Sequence, residues 1–149
     1  MRAAVVAARA GLARQADSHL DEAAATARHI PDNVYYGTAF GPSSVRIHAA
    51  AAAAEQGDAE TVLARARGWQ PPPAVPAERR SHYFIELARA RLWAGDRSKA
   101  LAALHEARKI APQHTRCNPQ ARQTLVTLIR LQRHAPDHLL SFAAWAGIK

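Results

Sequence analysis

The stretch SHYFIELARARLWAGDRSKALAALHEARKIAPQH, which runs from Ser81 to His114, decides the fold. Apolar residues recur at helical spacing on both sides of its Gly95-Asp96 pair, and this predicts helices over about 78–94 and 97–110. Glycine closes a helix in the left-handed conformation, and aspartate caps the helix that follows. The stretch therefore predicts two antiparallel helices joined by a tight turn.

Small and bulky residues follow one another at fixed intervals through this stretch. Ala88, Ala100 and Ala107 leave room for two helices to approach closely, and Leu104 fills the space beside them. Phe84 and Leu87 precede Ala88 on the same helix face, and Pro112 ends the unit. These intervals match the 34-residue tetratricopeptide pattern, in which each unit is one helix pair.

Two weaker copies precede this unit. Segment 11–23 aligns with 95–107, and segment 43–69 carries a second Gly-Asp pair at 57–58 and Ala50 in the position of Ala88. We therefore predict an all-α, tetratricopeptide-like α-solenoid of about three helix pairs with a C-terminal capping helix pair. The predicted single domain spans 1–149, with repeats at about 1–30, 43–76 and 81–114 and capping helices over 119–147. The further predicted helices are 2–10, 13–29, 43–56, 59–68, 119–134 and 137–147.

Charge and composition favour a binding protein over an enzyme. The net charge of +8 is spread among interspersed acids and bases, except between Ala107 and Pro136, where six basic residues meet no acid. That stretch leaves nucleic-acid binding open as an alternative. No nucleophile elbow, phosphate loop or dinucleotide motif is present, and eight histidines show no metal-ligand spacing. We expect no catalysis, no cofactor and no metal.

The expected location is the cytoplasm. Cys117 is the single cysteine, so no internal disulfide can form. No stretch approaches the roughly 20 apolar residues that span a bilayer, so no membrane contact is expected. The first helix, AAVVAARAGLA, is apolar nearly all round. This predicts burial on both sides, by earlier repeats, another domain or a partner subunit such as a second copy.

The candidate ligand site is the concave groove, which the first helix of each pair would line. Arg89 could clamp a carboxylate; the alternative is a salt bridge to Glu55 or Glu86. The aromatic segment 32–42 could offer a contact surface, or its rings could plug a gap between repeats. The predicted ligand-binding residues are Tyr36, Phe40, Ser44, Ile47, His48, His82, Ile85, Arg89 and Trp93.

Four successive segments resemble the C-terminal tetratricopeptide region of actinobacterial helix-turn-helix regulators, the family related to the xenobiotic-response-element repressors. The segments are HLDEAAATA, GTAFGPSSVRIHAAAAAAEQGD, PAERRSHYFIELARARLWAGD and ALAALHEARKIAPQ. The phrase TAFGP-x-x-V-x-x-H, Thr38 to His48, is the most specific part. The final segment RQTLVTLIRLQRHAPDHLLSFAAWAGI is similar to the tail of such regulators. The resemblance implies a cytoplasmic regulator whose N-terminal domain reads DNA and whose repeat region senses a peptide or small molecule, or dimerises.

This sequence shows no DNA-reading domain before the repeats, so we expect no direct DNA binding by this chain. The resulting hypothesis is a ligand-sensing or protein-interaction module of, or related to, a transcriptional regulator. It would hold a peptide, a small molecule or a protein partner, and it would form a homo-oligomer or dock onto a missing N-terminal region. Alternatives are a stand-alone adaptor or scaffold, a basic nucleic-acid-binding protein and an atypical biosynthetic enzyme.

Overall fold

The computed structural model describes residues 1–148, which are helical apart from loops and one small hairpin. The helices are α1 (Arg2–Arg9), α2 (Ala13–Ala27), α3 (Pro42–Glu55), α4 (Ala59–Ala66), α5 (Ala77–Trp93), α6 (Arg97–Ile110), α7 (Pro112–Cys117), α8 (Pro119–Arg130) and α9 (Asp137–Trp145). The hairpin pairs β1 (Asn33–Tyr35) with β2 (Thr38–Phe40) in antiparallel register. The predicted all-α class is confirmed.

One turn recurs at the end of the first helix of each of three successive pairs. Gly11, Gly57 and Gly95 adopt φ values of 77°, 72° and 83°, where a side chain would be strained. The amide of the following residue bonds to the carbonyl five positions earlier, in the geometry of a Schellman motif: Leu12 to Ala7, Asp58 to Ala53 and Asp96 to Arg91. Asp58 and Asp96 then cap α4 and α6 through their side chains.

Helices α1, α3 and α5 each pack against the helix that follows and against the next odd-numbered helix. Thus α1 contacts α2 and α3, α3 contacts α4 and α5, and α5 contacts α6 and α7, while α8 also packs against α5. Ala88, Ala100, Leu104 and Ala107 are fully buried between α5 and α6. Their burial is what the small-residue spacing predicts, because alanine lets helix backbones approach closely while leucine fills the adjoining space.

The hairpin and α7 were not predicted. Each strand has only three residues, too few for a period-two alternation to show. Tyr36 and Gly37 form the turn with φ values of 50° and 76°, the two positive angles of a type I′ hairpin turn. Pro112, read as the end of a unit, begins the six-residue α7 instead. Several predicted helices also extend too far; the one over 119–134 ends at Arg130.

Helix α1 is covered on one side only within the described chain. Ala4, Ala7 and Ala8 are buried against α2 and α3, whereas Val6 keeps 63% of its surface exposed. Burial of α1 on both sides is therefore not a feature of this chain alone. Among residues 1–148, no helix combines the length and apolar character needed to cross a lipid bilayer.

Candidate functional site

A cavity of about 620 Å³ lies between α1, the hairpin, α3 and α5, and α7 adds one side chain to it. We call it the inner pocket. Its apolar wall comprises Val5, Val6, Val34, Ala39, Ile47, Ala51 and Pro76, with Gly37 at the hairpin turn. Its polar lining comprises Arg2, Arg9, His48, Glu78, Arg79, His82 and His114. Cavities of this size hold drug-sized ligands.

Helical spacing explains why these side chains share one pocket. Arg79 and His82 are three residues apart on α5, and Ile47 and Ala51 are four apart on α3, so each pair lies on one helix face. The hairpin covers this face of α3 from the side of α1, which brings Ala39 to the pocket. The pocket thus depends on the packing of three consecutive odd-numbered helices.

His48 and Arg79 meet in this pocket. One His48 ring nitrogen, Nδ1, lies 2.8 Å from the Ser44 carbonyl. The Arg79 Nη1 lies 3.4 Å from Nδ1 and 3.3 Å from Nε2 of the same ring. Such nearly equal distances place the guanidinium over the ring face rather than in line with one lone pair. Burial, with Arg79 as a smaller cause, lowers the pKa of His48, so the imidazole is neutral at pH 7.

A chain of ionisable side chains links α1, α3 and α5, and its members Arg9 and His82 also line the pocket. Arg9 donates two hydrogen bonds to Glu55, at 3.0 and 3.2 Å. Arg89 Nη1 lies 2.6 Å from Glu86 and 3.7 Å from Glu55. His82 Nε2 is 3.6 Å from the other oxygen of Glu86. The chain therefore brings two arginines and one histidine together with two carboxyl groups.

Burial shifts the titration of two members of this chain in opposite directions. It raises the pKa of Glu86 to about 7, although the Arg89 guanidinium opposes the rise. It lowers the pKa of His82 to about 4, assisted by the nearby His114. Both shifts follow from the cost of holding a charge away from water. Both groups are therefore mostly neutral at pH values midway between these two pKa values, and each is about half charged at its own pKa.

Of the predicted ligand-binding residues, Ile47, His48 and His82 line the inner pocket. Ser44 and Ile85 are not among its lining residues, and 2% and 0% of their surface is exposed. Their role in ligand binding stays a prediction. Whether a residue of the expected groove reaches the pocket depends on how its helix is rotated in the stack, and spacing alone does not supply that rotation.

The other four predicted residues lie outside the pocket. Tyr36 is fully exposed at the hairpin tip, and Phe40 packs beside the small cluster of Ala23, Ala27 and Val45. Phe40 thus fills space beside this cluster, whereas the exposed Tyr36 fills no gap between repeats. Arg89 is held by Glu86 and Glu55 and stacks on the Trp93 ring at 5.0 Å. The salt-bridge interpretation of Arg89 is therefore the observed arrangement.

Sequence reasoning missed the cationic residues of the pocket. None of Arg2, Arg79 and His114 was singled out from the sequence as a candidate site residue. The position of Arg79, one helical turn before His82, was a signal that could have placed it on the groove face. Nothing in the sequence indicated that Val34 on the hairpin would reach the pocket, because the hairpin itself was not predicted.

Other candidate sites are weaker. The part of the chain that the structure describes holds no group of three His, Cys, Asp or Glu side chains able to bind a metal ion. Two members of the basic stretch are engaged internally: Arg108 stacks on the Trp145 ring at 4.2 Å, and Arg122 donates to the carbonyls that end α9.

No protein-family profile, curated protein or solved structure matches this chain.

Proposed function

We propose that this chain is a tetratricopeptide-like binding module that senses a ligand in the inner pocket and does not catalyse a reaction. The pocket is the observation that carries the proposal: an open cavity of about 620 Å³ with one apolar wall and convergent polar side chains. Binding sites for small molecules commonly combine these features. A peptide, a small molecule or a segment of a partner protein could occupy it.

The packing order supports a tetratricopeptide-like solenoid. In such a stack each helix pair contacts only its neighbours, and here α1–α2, α3–α4 and α5–α6 follow one another in this way. The recurrent turn at Gly11, Gly57 and Gly95 gives each pair the same reversal of chain direction. Under this proposal α8 and α9 are the capping pair.

The resemblance to helix-turn-helix regulators supports a sensing role. The phrase Thr38 to His48, its most specific part, supplies Ala39, Ile47 and His48 to the inner pocket. A segment that distinguishes these regulators from generic repeats would then be the segment that contacts the ligand. We therefore favour the sensor half of a cytoplasmic regulator over the stand-alone adaptor.

A ligand screen with a blocked pocket tests this function. Val6 lines the pocket and is 63% exposed, so Val6→Trp adds a bulky ring at the cavity without disturbing the core. Leu140→Trp, on the exposed surface of α9, is the matched control. Short apolar peptides and small organic acids are screened by thermal unfolding against wild type and both variants.

Ligands that stabilise wild type should stabilise Leu140→Trp equally and Val6→Trp far less. At a concentration about 100-fold above Kd, binding contributes about 2.7 kcal/mol, or about 5–10 °C in Tm for a chain of this size. Equal stabilisation of Val6→Trp and wild type by every ligand would place binding elsewhere and reject the proposal. A screen in which no compound or peptide raises the Tm would also count against it.

A further inference from the structure

The polar side of the inner pocket carries cations that lack acidic partners. Arg79 is half-buried on α5, and its contacts among residues 1–148 are with His48 and not with a carboxylate. Arg2, on α1, lines the same cavity and likewise forms no ion pair within the described chain. Glu78 is the one carboxylate in the lining, and it is exposed.

Two cations that share a partly dry cleft repel one another unless an anion joins them. Burial lowers the pKa of Arg79, and the charge of Arg2 lowers it further, which is the sign of an uncompensated positive site. Arg9 is different, because Glu55 already neutralises it. The unpaired positive charge is therefore concentrated at Arg79 and Arg2.

The contact between Arg79 and His48 uses one guanidinium nitrogen, Nη1. Nε and Nη2 of Arg79 form no hydrogen bond among residues 1–148, so these donors of the planar guanidinium are available. His48 is fixed in turn through its contact with the Ser44 carbonyl. Arg79 is thus oriented and supported while its fork of donors stays open, and such a fork matches a carboxylate in two parallel hydrogen bonds.

Much of the remaining lining of the pocket is aliphatic. Val5 and Val6 from α1, Val34 and Ala39 from the hairpin and Ile47 from α3 face the cavity. An inorganic anion would leave this surface in contact with water, whereas burying an apolar body contributes roughly 25 cal/mol per Å². The ligand that satisfies both kinds of lining has an anionic head and an aliphatic body.

His114 adds a hydrogen-bonding atom within the same cavity. Its Nε2 is buried and has no hydrogen-bond partner among residues 1–148, while its ring packs edge-on to His82 at 6.2 Å. A buried polar atom without a partner is unfavourable. A ligand with a second polar group, or a water bound beside the ligand, would satisfy it.

We infer that the inner pocket binds a small organic carboxylate with an aliphatic body, whose carboxylate is held by Arg79 and Arg2. This inference rests on the proposed function and narrows it to one ligand chemistry. The same chemistry occurs in free aliphatic acids and at the C-terminus of an apolar peptide. Either ligand would place its carboxylate at Arg79. The alkyl body of the acid, or the apolar side chains of the peptide, would lie against the valines.

Calorimetric titration with octanoate, octanol and octylamine tests the inference, and N-acetyl-trileucine with a free or an amidated C-terminus tests the peptide source. Octanoate or the free peptide should bind at least tenfold more tightly than its uncharged or cationic counterpart. Arg79→Gln should weaken that binding roughly tenfold or more, whereas Arg130→Gln, the same change at an exposed position of α8, should leave it within about twofold. If octanoate binds more tightly than the free peptide, the natural ligand is a free aliphatic acid. If the free peptide binds more tightly, the natural ligand is the C-terminus of an apolar peptide.

Equal affinity of wild type for a carboxylate probe and its uncharged counterpart would overturn the inference. An equal loss of carboxylate affinity in Arg79→Gln and Arg130→Gln would overturn it as well. So would the absence of binding by either carboxylate to wild type. These outcomes differ from failure of the proposed function, because that function still stands if other ligands stabilise wild type and not Val6→Trp. Circular dichroism establishes whether Arg79→Gln is folded. Retained binding of octanol by this variant would show that its pocket is intact.

Discussion

Glu86 and His82 have opposite effects on how stability depends on pH. Glu86 faces Arg89, Glu55 and Arg9 from its own and neighbouring helices, and burial raises its pKa from 4.5 to about 7. Its contribution to stability is therefore fully present below pH 4.5 and is lost as the pH rises through 7. The pKa of His82 falls from 6.5 to about 4, so its contribution is present above pH 6.5 and is lost as the pH falls through 4.

Two variants should separate these contributions. Relative to wild type, Glu86→Gln should gain unfolding free energy as the pH rises from 4.5 to 6.5, whereas His82→Gln should lose it over the same interval. The expected changes are on the order of 1–3 kcal/mol, since one pKa unit corresponds to about 1.4 kcal/mol. Urea denaturation at half-unit pH steps measures both, with the exposed Glu22→Gln as control. Parallel profiles for the two variants would contradict the assignment.

The sequence indicated the residue types of the site better than their partners. His48 and His82 were expected in the groove because they lie on the first helices of successive pairs, and the structure places both in the pocket. Arg89 was ambiguous between a ligand clamp and a salt bridge, because spacing alone does not show which carboxylate is closer. The unpaired state of Arg79 depends on the absence of a neighbour, and this becomes visible only when helices from distant parts of the chain are packed.

At the scale of elements, the hairpin is fixed to α3 through Asp32 and Gly41. The Asp32 carboxylate accepts a hydrogen bond from the Ser43 amide at 2.9 Å, in the first turn of α3. Gly41 has a φ of 142°, and a Cβ at this position would lie 2.6 Å from the Asp32 Cα. The junction therefore requires glycine both for its backbone angle and for its space.

Substitution at this junction should be far more damaging than substitution at the hairpin turn. Gly41→Ala should cost roughly 3 kcal/mol or more, because backbone must move to admit the methyl group. Gly37→Ala has a strained φ of 76° but open space, so it should cost about 1 kcal/mol. Thermal unfolding compares the two, and hydrogen exchange of amides 33–40 shows whether the hairpin detaches. If Gly41→Ala and Gly37→Ala lose the same unfolding free energy, the close approach of Gly41 to Asp32 does not affect stability.

Element prediction succeeded where periodicity is long and failed where it is short. Helices α5 and α6 carry an apolar repeat over several turns, and their Gly-Asp junction is punctuated by two residues with defined backbone preferences. The three-residue strands and the six-residue α7 are too short for any period to emerge. Their positions follow from packing: the hairpin covers the face of α3 near α1, and α7 lies against α5 and α6.

At the scale of the whole molecule, the inner pocket arises from stacking rather than from any single unit. α1, α3 and α5 come from three successive helix pairs, and each contributes one wall. The all-α class could be predicted from composition and spacing, because alanine-rich amphipathic segments favour helices that pack closely. The location of the cavity could not, since it depends on the angle between pairs and on the unpredicted hairpin.

Under the proposed function, ligands bind between α1, the hairpin, α3 and α5. Amide chemical shifts of the ¹⁵N-labelled chain, followed during titration with the tightest ligand from the thermal screen, test this directly. The largest shifts should cluster in residues 2–9, 33–40, 47–51 and 76–82, and Val6→Trp should abolish them. Shifts confined to α8 and α9, or unchanged in Val6→Trp, would contradict it.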